Sequence, residues 1–213
     1  MSQETVHVEQ IVCARIPTNW GEFRLCLYQN DRDEKEHLAF LFGDVECQEN
    51  ALVRVHSECF TGDVLGSTRC DCGEQLEASI AAIAENGSGA LIYLHQEGRG
   101  IGLLEKLRAY NLQDIGYDTV EANLALGHQA DLRDYSVAAE IIRHLKIQSI
   151  RLITNNPTKI EDLTQHGIVV IKRVSIEPTI KPDNLEYLRT KVTRMRHMLN
   201  MPELISTTQH EDD

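Results

Sequence analysis

The chain has 213 residues, 42% of them hydrophobic and 25% charged, with a formal net charge of -12. This composition suits a globular protein that buries a sizeable core without disulfide staples. The acidic balance argues against a general nucleic-acid binder, which needs basic surface to neutralise phosphates, but a local cluster of Arg and Lys can still hold one small anion. No apolar run approaches the roughly 20 residues that span a bilayer, and the polar first ten residues carry no leader pattern. The expectation is a cytoplasmic protein without membrane or nucleic-acid partners.

Strand signals dominate the first part. Residues 7–16, 22–28, 38–45 and 51–55 carry alternating or continuous apolar side chains, and residues 30–35 form a charged turn. The pattern predicts an antiparallel sheet. Helices then alternate with strands. Leu76, Ile80, Ile83 and Ala84 recur at helical spacing before Asn86-Gly87. Residues 90–95 read as a buried strand. Leu103, Leu104, Leu107 and Leu112 suit a second helix closing near Gly116, and Ala138, Ile141, Ile142 and Leu145 mark a third. Residues 149–174 form a strand–helix–strand unit, with Pro157 at the first helical position and Gly167 ending the helix. Leu185, Leu188, Val192, Met195 and Leu199 mark a C-terminal helix. The predicted class is α+β or mixed α/β, with N-terminal antiparallel strands followed by alternating helices and strands around a mixed sheet. The expected organisation is one domain over residues 1–200 and an acidic, disordered tail over 201–213.

Six cysteines are present, at 13, 26, 47, 59, 70 and 72. In a reducing cytosol, metal binding or free thiols are expected rather than three disulfides. Cys59, Cys70 and Cys72 form C-x10-C-x-C, which is not the zinc-ribbon or finger spacing. Three protein ligands are usual for a catalytic zinc, the fourth place being left open. Gly73 follows the cluster and suits a tight turn. Ordinary buried thiols are the competing reading of the spacing, but the charged neighbours Arg54, His56, Glu58 and Arg69 fit a working site better than a core.

Gln96-Glu97-Gly98-Arg99-Gly100-Ile101-Gly102 joins a predicted strand to a predicted helix. Backbone N–H groups there can approach an anion, with a helix N-terminus behind them, although an ordinary tight turn explains the glycines alone. A carboxylate at Glu97 can accept from the two donors on the guanine edge, and Arg99 can hold phosphate. Asp131 and Arg133 stand before the third helix, where a cap and a solvated face are the ordinary readings. Thr154, Asn155, Asn156 and Lys159 sit where strand turns to helix, a usual ligand position in α/β units.

In combination these stretches resemble GTP cyclohydrolase II. The resemblance rests on Arg54-Val55-His56-Ser57-Glu58-Cys59, Ser67-Thr68-Arg69-Cys70-Asp71-Cys72-Gly73 and His95-Gln96-Glu97-Gly98-Arg99-Gly100-Ile101-Gly102-Leu103. It continues through Gly116-Tyr117-Asp118-Thr119-Val120-Glu121-Ala122-Asn123, Ala130-Asp131-Leu132-Arg133-Asp134-Tyr135 and Leu152-Ile153-Thr154-Asn155-Asn156-Pro157-Thr158-Lys159. It implies one zinc on Cys59, Cys70 and Cys72. It also implies GTP contacts from Arg54, Val55, His56, Ser57, Glu58, Gln75, Glu97, Gly98, Arg99, Thr119, Thr154 and Lys159. Asp131 is then the proton acceptor, Arg133 the nucleophile toward the α-phosphorus, and Tyr110 a participant in ring opening. Magnesium on the triphosphate and a homodimer are further implications, as is the monofunctional form without an extra domain. One departure is His128-Gln129, where the family more often has an aromatic and a small residue or Pro.

A guanidinium is normally protonated, so Arg133 as a nucleophile needs deprotonation, and clamping transition-state charge is the physically simpler role. Two other readings stay open. One is a related enzyme that stops at the formamide or keeps the pyrophosphate. The other is a regulatory nucleotide-binding protein with a structural zinc, which requires a fourth protein ligand.

Overall fold

The computed structural model describes residues 6–129 and 131–200; the expected acidic tail lies outside them. Alternating side chains and short turns make an antiparallel meander of β1 (Val8–Thr18), β2 (Gly21–Asn30) and β3 (His37–Phe42). The next strands are β4 (Ala51–Ser57), β5 (Gly89–Leu94), β6 (Ile150–Ile153) and β7 (Val170–Val174). One seven-stranded sheet results, in the order β1-β2-β3-β5-β4-β6-β7. β3 pairs antiparallel with β5, whereas β5, β4, β6 and β7 run parallel. The mixed sheet with an antiparallel N-terminal half agrees with the sequence pattern.

The helices explain why the central strands are continuously apolar: both faces are covered. Ile141 and Ile142 of α5 (Ser136–His144) and Leu163 of α6 (Pro157–Gln165) pack with Val53, Val55, Ile92 and Leu152 on one face. On the other, Ile83, Leu76 and Ile80 of α2 (Cys72–Glu85) meet Leu52, Leu91 and Ile153. The parallel register brings the carboxyl ends of β4, β5 and β6 to one edge, where α/β sheets bind ligands. The loops leaving Ser57, Leu94 and Ile153 begin there.

Several elements differ from expectation. Cys13 and Cys26 stand opposite each other across β1 and β2 and form a disulfide, so the expectation of free or metal-bound thiols fails for this pair. Cys47 is a free, exposed thiol. The helix α3 (Gly102–Gln113) forms, but its leucines face outward: Leu103, Leu104 and Leu107 are exposed, while Lys106 and Ala109 are its buried residues. A short helix, α4 (Thr119–Ala125), was not evident from apolar spacing. A capping box starts it: Asp118 accepts from the backbone N–H groups of Val120 and Glu121, and Glu121 accepts from that of Asp118. The last helix, α7 (Leu185–Thr193), stops before Met195 and Leu199, and β7 begins at Val170, two residues into the apolar run 168–171 that predicts it.

Asp118 also pairs with Arg194, just after α7, so it holds two elements that border the site. Asp118→Ala should therefore lower the unfolding free energy by about 1–2 kcal/mol, read by urea denaturation. An unchanged midpoint would show that neither the cap nor the pair contributes.

Candidate active site

Beyond the carboxyl edge of the sheet lies one large cavity. Most of the residues singled out from sequence line it: Arg54, His56, Ser57, Glu58, Cys59, Cys70, Cys72, Gln75, Glu97, Gly98, Arg99, Tyr110, Thr119, Arg133, Thr154 and Lys159. Two do not. The Val55 side chain is in the core, and only its carbonyl reaches the site, accepting from Lys159 Nζ at 2.6 Å. Asp131 sits behind Arg133.

The cysteines converge because a one-turn helix packs against the start of α2 at glycines. Cys59 precedes α1 (Phe60–Asp63), and Cys72 opens α2. The three Sγ atoms lie within 4.8 Å of one another, with Cys59 and Cys70 3.7 Å apart. Zinc–sulfur bonds of about 2.3 Å at tetrahedral angles place sulfurs about 3.8 Å apart, so the donor set fits this ion. Among the described residues no fourth His, Cys, Asp or Glu joins the group. Gly73 does not make the tight turn expected of it. It sits in α2, where a Cβ would meet the Gly62 carbonyl at 2.5 Å. A Cβ on Gly62 would in turn lie 3.0 Å from Cys70 Sγ and 3.1 Å from Cys59 Sγ.

Buried charges surround the thiols. Lys106 Nζ is 3.0 Å from Cys59 Sγ and 2.7 Å from Glu97 Oε1. Burial alone would pull this ammonium down, but the Cys59 thiolate and the Glu97 carboxylate hold it above the usual lysine value. Hydrogen bonds from Cys70 and Cys72 hold the Cys59 thiol far below the usual range. Asp63 accepts from the Cys59 backbone N–H at 3.0 Å and from Tyr93 at 2.9 Å. It also meets His56 Nε2 at 3.0 Å. Burial pulls the His56 imidazole down, so its neutral form donates Nε2–H to that carboxylate. On the far side, Asp71 takes Lys191 Nζ at 2.5 Å and Gln75 Nε2 at 2.6 Å, while Gln75 accepts from Arg54 at 2.6 Å.

Glu97 is more committed than the sequence reading allowed. Its oxygens already accept from Phe60 N–H at 2.6 Å, Gly98 N–H at 2.7 Å and Lys106. A carboxylate offers about four lone-pair sites, so in this arrangement it cannot take both guanine donors. The turn runs through the left-handed region, with φ of 62° at Gly98 and 61° at Arg99, which costs strain at Arg99 but not at glycine. It packs on the 131–133 segment, where Leu132 N–H donates to the Arg99 carbonyl. Both terminal nitrogens of Arg99 are buried without a hydrogen-bond partner.

Arg133 is no solvated side chain, and Asp131 caps no helix; Tyr135 occupies the N-cap of α5. Asp131 accepts from Arg133 Nε at 2.8 Å and from its terminal nitrogen, a bidentate pair. Burial opposes the charge on Arg133, but Tyr135 and Asp131 hold its pKa above the ordinary arginine value. The ammonium of Lys159 is buried and pulled well down by desolvation, with Arg54 and Arg133 adding to the effect. Tyr110 meets Thr61 Oγ1 at 3.4 Å, and burial raises its phenol. Sequence reasoning missed Lys106, Asn123, Tyr187, Lys191 and His197, all lining the cavity. Lys106 falls among outward leucines, and the others carry no spacing signal that separates them from surface residues.

Because the sulfurs leave no room at Gly62, Gly62→Ala should weaken capture of added Zn2+ by at least about ten-fold and destabilise the fold by about 1–3 kcal/mol. Competition with a chromogenic chelator measures the first; wild-type affinity in the variant would contradict the crowding.

A family model for GTP cyclohydrolase II matches residues 9–175. The chain is 54% identical over 186 residues to the riboflavin biosynthesis protein RibBA of Bacillus cereus (strain B4264), covering 87% of this chain and 47% of that protein. It is 53% identical over 186 residues to the RibBA protein of Bacillus cytotoxicus, with the same coverage. The chain thus spans about half the length of the curated relatives it matches. Among solved structures, it is similar to RibBX, a two-domain 3,4-dihydroxy-2-butanone 4-phosphate synthase from A. baumannii. That likeness has a TM-score of 0.49 and 22% identity, and covers 82% of this chain and 42% of the other. The family match runs from the first strand through the cysteine cluster and the glycine turn to Lys159 and beyond: the chain belongs to the GTP cyclohydrolase II family.

Proposed function

We propose that this chain opens the imidazole ring of GTP at C8, releasing formate and pyrophosphate to give 2,5-diamino-6-(5-phosphoribosylamino)pyrimidin-4(3H)-one, the first committed step of riboflavin biosynthesis. The observation that carries the reading is one cavity lined both by three clustered cysteines and by the basic side chains of Arg99, Arg133 and Lys159. Such a cavity suits a substrate that needs hydrolysis at a base and displacement at a phosphate. Hydrolysis of C8–N9 and C8–N7 consumes one water each and frees formate. Cleavage of the α–β phosphoanhydride consumes another and frees pyrophosphate. When bound by Cys59, Cys70 and Cys72, zinc supplies a Lewis acid that lowers the pKa of water from about 15.7 toward about 7. Magnesium accompanies the triphosphate, and the protein acts in the cytoplasm as a homodimer.

The chain's own groups divide the remaining work. Lys106 neutralises the Cys59 thiolate and fixes Glu97 beside it. Asp63 and His56 fix the start of α1. Tyr110 presents its phenol, kept protonated by burial, to the reacting base. Arg54, Ser57, Glu58, Gln75, Gly98, Thr119 and Thr154 complete the walls around the nucleotide. For Arg133, the bidentate ion pair with Asp131 and the raised pKa favour a protonated clamp on phosphate charge over a covalent nucleophile. The regulatory alternative with a structural zinc finds no fourth protein ligand among the described residues.

Incubation of the zinc-loaded protein with α-labelled GTP and magnesium, with formate and pyrophosphate assayed, tests the reading. Both products should appear. Cys70→Ser should lose formate, and Arg133→Ala should slow pyrophosphate release by at least about a hundred-fold. No formate from the wild type would reject the function. Stable label on wild-type protein that is absent from Arg133→Ala would replace the clamp with the covalent role.

A further inference from the structure

The matched family region ends at residue 175, yet the cavity continues past it. Helix α7 and the segment after it supply Lys191 and His197 to the same wall space as Arg99, Arg133 and Lys159. This segment is held in place. His197 N–H donates to the Lys191 carbonyl at 2.9 Å, Met198 N–H donates to the Asn155 carbonyl at 2.8 Å, and Arg173 reaches the Met198 carbonyl. Asn155 belongs to the loop leaving β6, so the C-terminal segment is anchored to the carboxyl edge of the sheet.

His197 is the unusual group. Both ring nitrogens are buried without a hydrogen-bond partner. Desolvation, with Lys191, Arg133, Lys159 and Arg99 adding to it, pushes the imidazole down to about 2. Arg99 likewise leaves both terminal nitrogens unpaired. Buried polar groups without partners are costly, and like charges in one small space repel one another. Arg133, Lys191 and Lys159 already hold Asp131, Asp71 and the Val55 carbonyl, whereas the nitrogens of Arg99 and His197 stay unpaired beside them, and a polyanion entering this basic space would satisfy both.

We infer that the C-terminal segment builds a polyphosphate-binding lobe of the cavity, in which Lys191 and His197 face Arg99, Arg133 and Lys159 across the bound phosphates. The lobe rests on the cyclohydrolase reading only for naming its occupant as the triphosphate of GTP; the chemistry it recognises is that of any linear polyphosphate. Lys191 has two duties, since it also holds Asp71 at 2.5 Å between two of the cysteines. His197 has no other polar partner and is the cleaner probe.

The test uses the zinc-loaded chain of 213 residues and three probes measured by calorimetry: inorganic tripolyphosphate, GTP and guanosine. His197→Leu fills the volume of the ring without its donors, and His197→Lys restores a donor. The leucine variant should bind tripolyphosphate and GTP at least about ten-fold more weakly, as expected for a lost charge-assisted hydrogen bond. Guanosine affinity and zinc content should not change, and the lysine variant should recover most of the loss. Unchanged tripolyphosphate binding in His197→Leu would overturn the inference, as would a wild type that does not bind tripolyphosphate. An equal loss of guanosine binding and zinc would also overturn it, because His197 would then be only structural. If the wild type binds tripolyphosphate through His197 but never yields formate from GTP, the lobe stands and the cyclohydrolase reading falls.

Discussion

Three thiols held within 4.8 Å of one another are the constraint around which the site is arranged. Sulfurs so close cannot all ionise without a cation among them, because like charges in a low-dielectric setting repel strongly. The protein moderates this locally. Lys106 sits 3.0 Å from Cys59, and the Cys70 thiol is pushed up to about 11, chiefly by its hydrogen bond to Cys59. The backbone makes the crowding possible through two glycines, Gly62 and Gly73, packed where any side chain would collide.

The rest of the cavity is tied to that cluster through a few buried ion pairs. Lys106 joins α3 to the glycine turn through Glu97, and Glu97 reaches the start of α1 through Phe60 N–H. On the other side Asp71, between two cysteines, holds Lys191 of α7. Breaking one partner of such a pair strands a buried charge, which costs several times more than an exposed pair contributes. The thiols, the turn and the C-terminal helix are therefore coupled. A change at any of them reaches the space where the base and the phosphates would lie.

Much of the fold was legible in the sequence because it rests on apolar periodicity. The alternating strands, the β6–α6–β7 unit and the start of α6 at Asn156-Pro157 all follow from pattern and punctuation. The exceptions share a physical cause. In α3 the leucines mark a helix but not its buried face, since Lys106 is buried for its charge and the leucines remain exposed. α4 is specified by its capping box rather than by an apolar stripe. α7 ends at Thr193, and Met195 lies beyond it in the segment that lines the cavity. The Cys13–Cys26 pairing depends on strand register, which spacing along the chain does not state. In the site, residues in compact motifs were found, whereas Lys106, Lys191 and His197 were not. Their environment is made by tertiary contacts, and a lone Lys or His in a helix or a tail looks like surface.

The central claim is that Cys59, Cys70 and Cys72 form an open, working zinc site within a nucleotide cavity, rather than a closed structural one. X-ray absorption at the zinc edge on the purified protein addresses it most directly. The account predicts one zinc per chain in a shell of three sulfurs at about 2.3 Å and one lighter atom, with the light-atom shell altered when a non-hydrolysable GTP analogue is added. A shell of four sulfurs, or a spectrum indifferent to the nucleotide in a protein that binds it, would contradict the account.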